Sequence, residues 1–325
     1  MARIPCWFGI LFVILIVGVS GVGLWGYNEF VRPGPLVVGK IIIIPRGSSI
    51  GHITLSLARH NVIKVPLVLS MGARTLNSDK AIQAGEFFFP KGVSPRGVLA
   101  ILQSGKQVVR RVTIAEGLTS MQVLNILENT KGLTGTVSSP IKEGEFLPET
   151  YYFTFGYSRN ALVKRMRNNM KKALLILWAS RSPDLPLSNI NEALVLASIV
   201  EKETGQAAER ARVAGVFINR LRLNMRLQSD PTVSYGITKG QSNLGRTLSR
   251  KDLKTPSTYN TYIINGLPPG PISNPGWAAL EAATHPANTE DLYFVASGHG
   301  GHNFASNLAE HNLNVAKWRK IRKLK

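Results

Sequence analysis

The sequence predicts an α+β protein in three parts: an N-terminal membrane-spanning helix, a small α+β region built from short repeats, and a larger mixed α+β domain. Three observations carry this prediction. No charged side chain occurs between Arg3 and Glu29, a glycine-centred pattern recurs three times before residue 130, and helix and strand signals mix from residue 143 onward. A chain of 325 residues is long enough for about two folded domains. The predicted boundaries are 1–32, 33–140 and 141–325.

The first part is the apolar run WFGILFVILIVGVSGVGLWGY, which covers 21 residues. At about 1.5 Å per residue, a helix of this length crosses a hydrocarbon core of roughly 30 Å. Trp7 at one end and Trp25 and Tyr27 at the other are typical of interfacial belts, and Arg3 favours a cytoplasmic N-terminus. The alternative is a cleaved signal peptide, but the run is long for one. We therefore expect residues from the RPGP linker at 32–35 onward to be exported.

The charge balance favours a polyanionic partner, because 39 basic and 19 acidic side chains give a formal charge of +20. Nucleic acid, anionic lipid and an acidic wall polymer all fit this balance. Export makes a nucleic-acid role improbable, so we expect no nucleic-acid partner. The single cysteine, Cys6, precedes the apolar run, and the exported part therefore has no disulfide.

The repeated pattern begins with Gly47, Ser49, Ile53 and Leu57, and equivalent residues recur from Gly92 and from Gly117. Each copy follows a short apolar run. A strand, a glycine turn, a Ser or Thr N-cap and an amphipathic helix explain every position of the pattern. Such units resemble the LysM-type modules that bind cell-wall glycan. The alternative is a small α+β spacer without a ligand.

The last part combines helices and strands. Its helices are predicted at 160–180, 191–204, 206–223, 274–284 and 307–322, and its strands at 291–296 and 302–305. The helix from 274 rests on Asn274 as N-cap and Pro275 as first helical residue. The stretch 225–273 has little periodicity, and loops of this length are usually functional or disordered.

A carboxylate ends the most apolar of these helices. Residues 194–200 are apolar except for Ser198, so this helix is predicted to be buried, with Gly205 after its end. Burial and the negative end of the helix dipole both raise the pKa of Glu201, as a general acid requires. Glu203 lies about 200° further around the helix, so the two carboxylates cannot face one pocket. Periodicity does not choose between them, and ordinary salt bridges are an alternative for both.

Four segments carry a family resemblance: LASIVEKET, ERARVAGVFINRLRLNMRLQSDPTVSYG, TPSTYNTYIINGLPPGPISNPG and HPANTEDLYFVASGHGGHNFASNLAEHN. Together they resemble the endolytic murein transglycosylases, or YceG-like proteins. The resemblance is specific over 191–312 and loose over 40–130. It assigns the catalytic acid to Glu201 and implies a single-pass protein of the bacterial inner membrane, with its catalytic domain in the periplasm.

The reaction that the resemblance implies needs no cofactor. Glu201 protonates the glycosidic oxygen of a β-1,4 bond between N-acetylmuramic acid and N-acetylglucosamine within nascent peptidoglycan glycan strands. The C6 hydroxyl of the muramyl ring then attacks C1, which leaves a 1,6-anhydro end and terminates the strand. Peptidoglycan synthases are candidate partners. One carboxylate serves as acid and then base, unlike the pair in most glycosidases.

Supporting residues are predicted in the long middle stretch. Gln228 is expected to bind an N-acetyl group or orient Glu201, and Asp230 to bind substrate or to cap a helix before Pro231. Rings with nearby amide and hydroxyl groups are the usual means of holding a sugar. The further candidates of this kind are Tyr235, Tyr259, Asn260, Thr261, Tyr262 and Asn274.

Two other functions stay open at this point. A non-catalytic scaffold that binds the wall would not need Glu201, and a muramidase would use Asp230 to activate water. No metal site is predicted, because the spacing of the C-terminal histidines fits no metal motif. We expect structural roles for His299, His302 and His311.

Overall fold

The structure is a computed structural model that describes residues 6–75 and 81–323. The chain divides into two compact units. Unit 1 comprises Met1–Arg110 with Phe153–Gly156, and unit 2 comprises Arg111–Tyr152 with Tyr157–Lys325. This division differs from the predicted boundaries, since the first helix groups with residues 33–110 and the third repeat groups with the C-terminal part. The α+β class and the N-terminal apolar helix are as the sequence predicts.

Unit 1 begins with α1 (Cys6–Val31), whose segment Gly9–Val31 is long and apolar enough to cross a membrane. The unit continues with β1 (Lys40–Ile44), α2 (Ile50–Arg59), α3 (Pro66–Thr75), β2 (Gly85–Phe89), α4 (Pro95–Ser104) and the start of β3 (Val109–Thr113). Strands β1 and β2 pair antiparallel, with Ile42 opposite Phe87. The core of the unit lies between this strand pair and the helices, and Phe30 at the end of α1 belongs to it.

The predicted linker at 32–35 is packed against the rest of unit 1. The N–H of Gly34 points at the carbonyls of Gly92 and Val93, at 3.2 Å from each oxygen. A Cβ on Gly34 would lie 2.4 Å from the carbonyl oxygen of Val93 and 2.6 Å from that of Val62. Only glycine fits here, and α1 therefore continues into the fold of unit 1 without a free hinge.

Helices α2 and α4 start as the repeats predict. The hydroxyls of Ser49 and Ser94 accept hydrogen bonds from the N–H groups of His52 and Gly97. In the third repeat, Thr119 and Gln122 form a complete capping box. All three turn glycines have positive φ, between 66° and 76°, which favours glycine over residues with a Cβ.

Unit 2 contains the third repeat helix and most of the remaining elements. In order these are α5 (Ser120–Asn129), β4 (Leu133–Thr134), β5 (Thr150–Thr154, whose last two residues belong to unit 1), β6 (Tyr157–Ser158), α6 (Arg159–Ala179), α7 (Ile190–Glu203), α8 (Arg210–Arg222), α9 (Asp230–Thr238), α10 (Trp277–Thr284), β7 (Tyr293–Ala296), β8 (His302–Ala305) and α11 (Leu308–Lys323). The two-stranded sheets pair β3 with β5, β4 with β6, and β7 with β8.

Helix α7 is the centre of unit 2. It packs against α6, α8, α9 and α10, and every residue from Val195 to Val200 is buried. This confirms the burial that the apolar run predicts. The helix ends at Glu203, with Thr204 as an extended C-cap, so Gly205 does not form the predicted left-handed cap.

Two further expectations about elements are wrong. Residues 230–238 form α9 inside the stretch that lacked periodicity, with Ser229 as N-cap and Asp230 as first helical residue. Helix α10 begins at Trp277 and its N-cap is Gly276, not Asn274. In both cases the side chain that the local pattern assigned to a helix cap, Asp230 or Asn274, instead accepts a hydrogen bond from a residue distant in the sequence.

Candidate active site

Glu201 lies in the last turn of α7, and its side chain is only 6% exposed. Oε2 accepts a hydrogen bond of 2.8 Å from the backbone N–H of Gly276, which stands immediately before α10. The dipole at the N-terminus of α10 therefore points at the carboxyl group at the C-terminus of α7. Oε1 forms no hydrogen bond in the part of the chain that the structure describes, and Nη2 of Arg210 lies 4.0 Å from it.

A second carboxylate, that of Glu116, lies beside this hydrogen bond. A Cβ on Gly276 would lie only 1.7 Å from Oε1 of Glu116. Gly276 has φ −76°, which any residue can adopt, so the close carboxylate is what requires glycine here. Glu116 is exposed and belongs to the turn before α5. Unit 2 thus brings two carboxylates to one glycine from distant parts of the sequence.

Two cations lie near the pair. The side chain of Arg210, at the start of α8, is 11% exposed, and its Nη2 lies 4.0 Å from Oε1 of Glu201. Its Nε is buried without a hydrogen-bond partner among the described residues. Lys202 donates a hydrogen bond of 3.2 Å to the carbonyl of Gly117.

These surroundings raise the pKa of Glu201 above its ordinary value. Burial is the largest cause, and the negative charge of Glu116 acts in the same direction. The hydrogen bond from Gly276 opposes them, as do the positive charges of Arg210 and Lys202. The net result is a carboxyl group that holds its proton better than one in water.

Ser198, one turn before Glu201, fixes the chain that carries Gly276. Its hydroxyl accepts a hydrogen bond of 3.0 Å from the N–H of Ile272, and its carbonyl accepts one of 3.2 Å from the hydroxyl of Ser273. Both serines are fully buried. The small residue that interrupts the apolar run of α7 therefore anchors the segment 272–276 beside the carboxyl group.

Asn274 joins that segment to the turn that carries Glu116. Its side-chain oxygen accepts from the N–H of Phe146, and its amide donates to the carbonyl of Leu118. The backbones of the two segments also bond: Gly117 N–H donates to the carbonyl of Asn274, and Asn274 N–H donates to that of Leu118. Asn274 is fully buried. Protein groups occupy its amide, and it therefore holds the turn that carries Glu116 against the segment that carries Gly276.

Glu203 faces a different neighbourhood, as its position around the helix requires. It accepts a hydrogen bond of 2.5 Å from the hydroxyl of Ser229. The pKa of Glu203 is raised to about 7, chiefly by burial and in part by Asp230, while Ser229, His302 and Arg220 act in the opposite direction. The two carboxylates of α7 do not form a dyad.

The other predicted residues of the middle stretch gather near Glu203. Gln228 is exposed and has a φ of +50°, and its N–H donates to the carbonyl of Thr261. Asp230 accepts a hydrogen bond of 2.7 Å from the hydroxyl of Tyr262. Thr261 and Asn260 are buried and bonded to neighbouring protein groups. Within the described residues, no hydrogen bond joins Gln228 to Glu201.

Tyr235 and Tyr259 come together in a separate cluster. Their ring centroids lie 4.9 Å apart, and the hydroxyl of Tyr235 donates to Glu143 at 3.3 Å. Glu143 also accepts a hydrogen bond of 2.7 Å from the N–H of Ser120, and burial raises the pKa of Glu143. This cluster therefore adjoins the same turn that carries Glu116.

The C-terminal histidines have ordinary protein contacts where contacts are described. The ring of His302 lies 2.8 Å from Glu209, and that of His311 stacks on Tyr293. His299 lies in the turn between β7 and β8. No group of three or more His, Cys, Asp or Glu side chains suited to a metal occurs among residues 6–75 and 81–323.

Sequence reasoning missed three residues of this site: Glu116, Glu143 and Gly276. Glu116 immediately precedes the turn glycine of the third repeat, and that position is the one feature of the sequence that could have pointed to a role for it. Its role depends on a contact with a segment 160 positions later in the chain, which no local pattern reveals.

Comparison with known proteins gives a consistent result. The profile of the YceG-like family matches residues 42–317. A protein of Bacillus subtilis (strain 168) named endolytic murein transglycosylase is 30% identical over 307 residues, covering 85% of this chain and 84% of its own length. A Streptococcus pneumoniae (strain R6) protein of the same name is 28% identical over 95% of this chain, which matches 65% of that longer protein.

A solved structure agrees with these relatives. The crystal structure of a YceG-like protein from Listeria monocytogenes superposes with a TM-score of 0.55 at 30% sequence identity, covering 85% of this chain and 98% of the other. The family profile spans well over half of the chain, and it includes the turn of Glu116, the end of α7 and the segment before α10. This chain belongs to the YceG-like family.

Proposed function

We propose that the protein is a membrane-anchored lytic transglycosylase that cleaves the β-1,4 bond between N-acetylmuramic acid and N-acetylglucosamine inside nascent glycan strands. The observation that carries this proposal is the buried Glu201 carboxyl group, whose pKa is raised and whose Oε1 is free of hydrogen bonds within the described residues. Relatives named endolytic murein transglycosylase support murein as the substrate and a cut within its strands.

The reaction uses one proton that leaves Glu201 and returns to it. The carboxylic acid donates its proton to the glycosidic oxygen, and the bond from C1 to that oxygen breaks. The electron pair leaves with the N-acetylglucosamine 4-hydroxyl, and the muramyl ring becomes oxocarbenium-like. The ring's own C6 hydroxyl then attacks C1 and gives its proton to the Glu201 carboxylate. No water is consumed, and the product has a 1,6-anhydromuramyl end.

In this cycle Glu116 favours the protonated form of Glu201, whereas Arg210 favours the carboxylate form. The negative charge of Glu116 favours the protonated form of Glu201 before the bond breaks and stabilises positive charge on the sugar ring afterward. Arg210 stabilises the Glu201 carboxylate that exists between the two proton transfers.

The remaining predicted residues divide into two roles in this proposal. Tyr235 and Tyr259 present paired rings to a sugar, and exposed Gln228 and Asp230 offer polar groups at its edge. The buried side chains act as positioning residues that hold the loops around the site. These are Asn260, Thr261 and Asn274.

Helix α1 anchors the enzyme in this proposal, with the N-terminus in the cytoplasm and the residues from the linker at 32–35 onward in the periplasm. Its length and apolarity support an anchor. The β-α-α-β order of residues 40–89, with its antiparallel strand pair and the Ser49 cap of α2, supports a LysM-like glycan-binding role for unit 1.

Mass spectrometry of digested glycan strands tests the function. The full chain is used in detergent, because Phe30 of α1 is part of the unit 1 core. Anhydromuramyl ends from the parent and none from Glu201→Gln are expected. Reducing ends would instead show attack by water and make the protein a muramidase. Intact strands from both proteins would make it a wall-binding scaffold.

A further inference from the structure

We infer that unit 1 carries a lipid-binding groove, in which acyl chains of an outer-leaflet phospholipid lie between α1, α3 and α4 and its phosphate contacts Arg96. The inference rests on the proposed membrane anchorage. The groove has a volume of about 810 Å³, within the range of small-molecule sites. Most of its lining atoms belong to apolar side chains, and its only charged lining residue among those described is Arg96.

The depth of the groove identifies its occupant. The groove begins at Val22, which lies about 20 Å along α1 from Gly9, and it ends at Val31, about 33 Å along. In a helix that spans a hydrocarbon core of roughly 30 Å, the groove therefore runs from the outer third of the core to the headgroups. Lipid, rather than water, surrounds a surface at this depth.

The attachment of α1 holds the groove at that depth. Phe30 is buried in the core of unit 1, and its ring lies so close to Gly72 of α3 that a Cβ there would be 2.3 Å from it. The turn at Gly34 is hydrogen-bonded to the rest of unit 1, so no flexible hinge follows α1. Helices α3 and α4 therefore keep a fixed position beside the membrane end of α1.

The walls of the groove suit a phospholipid. Leu67 and Met71, four residues apart on one face of α3, are 64% and 57% exposed. Gly23 and Gly26 leave open space beside α1, where an acyl chain fits. Arg96 is exposed at the start of α4 and forms no ion pair within residues 6–75 and 81–323. A lone basic group above an apolar groove matches an anionic phosphate.

Site-directed fluorescence quenching tests this inference on the full chain in proteoliposomes. Cys6 is replaced by Ser, and a single cysteine carrying an environment-sensitive fluorophore is placed at Met71, at Leu55 or at Val17. Leu55 is the matched control, because it is an exposed apolar residue of α2 that does not line the groove. Val17 lies in the middle of the apolar segment and reports whether α1 spans the bilayer.

Lipids with a nitroxide near the headgroup are expected to quench the fluorophore of Met71→Cys strongly and that of Leu55→Cys weakly. Lipids with a nitroxide deep in the acyl chain are expected to quench the fluorophore of Val17→Cys. Quenching at position 17 without quenching at position 71 would overturn the groove while leaving the anchor intact. No quenching at position 17 would overturn both. Neither quenching result depends on glycan cleavage. Failure of the groove and failure of the proposed enzymatic activity can therefore be told apart.

The headgroup contact is tested with nitroxide-labelled phosphatidylglycerol and phosphatidylcholine. We expect about a fivefold preference for the anionic lipid at position 71, the enrichment that one basic side chain provides near a membrane surface. Arg96→Gln is expected to remove that preference and leave quenching by phosphatidylcholine unchanged. An unchanged preference in Arg96→Gln would overturn the assignment of the phosphate to Arg96.

Discussion

The backbone N–H of Gly276 donates a hydrogen bond to the carboxyl group of Glu201, and the carboxylate of Glu116 lies against the same glycine. One residue without a side chain is therefore in contact with two acidic groups. A carboxylate that bears a negative charge next to a carboxylic acid makes release of the acid's proton harder. Four of the predictions below follow from this arrangement and from its supports, and one concerns the other carboxylate of α7.

Replacing Glu201 by Gln is expected to lower turnover about 10²- to 10⁴-fold, the usual contribution of a general acid. The amide of Gln can still accept the hydrogen bond from Gly276, so the thermal midpoint should stay close to that of the parent. Anhydromuramyl ends are counted by mass spectrometry. Glu128→Gln, an exposed substitution on α5, is the control and should retain full activity. Equal activity in both variants would remove Glu201 from the mechanism.

Replacing Glu116 by Gln is expected to move the alkaline limb of the pH–rate profile to lower pH. Activity requires protonated Glu201 and is lost as pH rises through its pKa, and removal of the neighbouring negative charge lowers that pKa. Arg210→Gln removes a positive charge and should move the same limb to higher pH. The groups that face Glu201 with these effects are Glu116, Arg210 and Lys202. A limb that stays in place in both variants would contradict the proposed charge coupling.

Replacing Gly276 by Ala is expected to reproduce the effect of Glu116→Gln on the pH profile. The new methyl group would overlap Oε1 of Glu116, and this exposed side chain can swing into solvent at little cost. We therefore expect less than about 1 kcal/mol loss of stability. In the double variant Glu116→Gln/Gly276→Ala, the two shifts should not add, because both remove the same interaction. Additive shifts would show that the glycine acts through another group.

Replacing Glu203 by Gln is expected to flatten the dependence of stability on pH. The pKa of Glu203 is about 7 in the folded protein and 4.5 is its ordinary value. Because the folded-state pKa is raised, its contribution to stability is fully present below pH 4.5 and is lost as pH rises through 7, an effect on the order of 3 kcal/mol. Urea unfolding at several pH values measures it. Equal slopes for parent and variant would contradict the burial of this carboxyl group.

Replacing Asn274 by Ala is expected to destabilise the protein by about 2–4 kcal/mol. The substitution leaves the N–H of Phe146 without its partner inside unit 2 and removes the side-chain bond to the carbonyl of Leu118, while the backbone bonds between the two segments remain. Urea unfolding with Asn191→Ala, an exposed position in the first turn of α7, provides the comparison. A loss equal to that of the control would mean that the amide network is not structural.

The repeats show what local sequence can predict. Their glycine turns need positive φ, and the Ser and Thr caps satisfy N–H groups only a few residues away. The capping partners lie within one short segment, so the pattern alone explains where each helix starts. The start of α9 was predicted from Asp230 and Pro231 and lies one residue earlier, but the extent of the helix was not predicted, because the polar residues that follow mask the apolar period.

By itself, the sequence determined the apolar N-terminal helix, the capped repeats, the buried α7 and the separation of Glu201 from Glu203 around it. These properties follow from composition and from the 3.6-residue period of a helix. Only the tertiary structure decided that Glu116 accompanies Glu201, that Gly276 lies between them and that Asn274 is a buried support instead of a cap. Such pairings depend on how distant segments pack, because the side-chain period of one element specifies which face is buried but not which residues meet it.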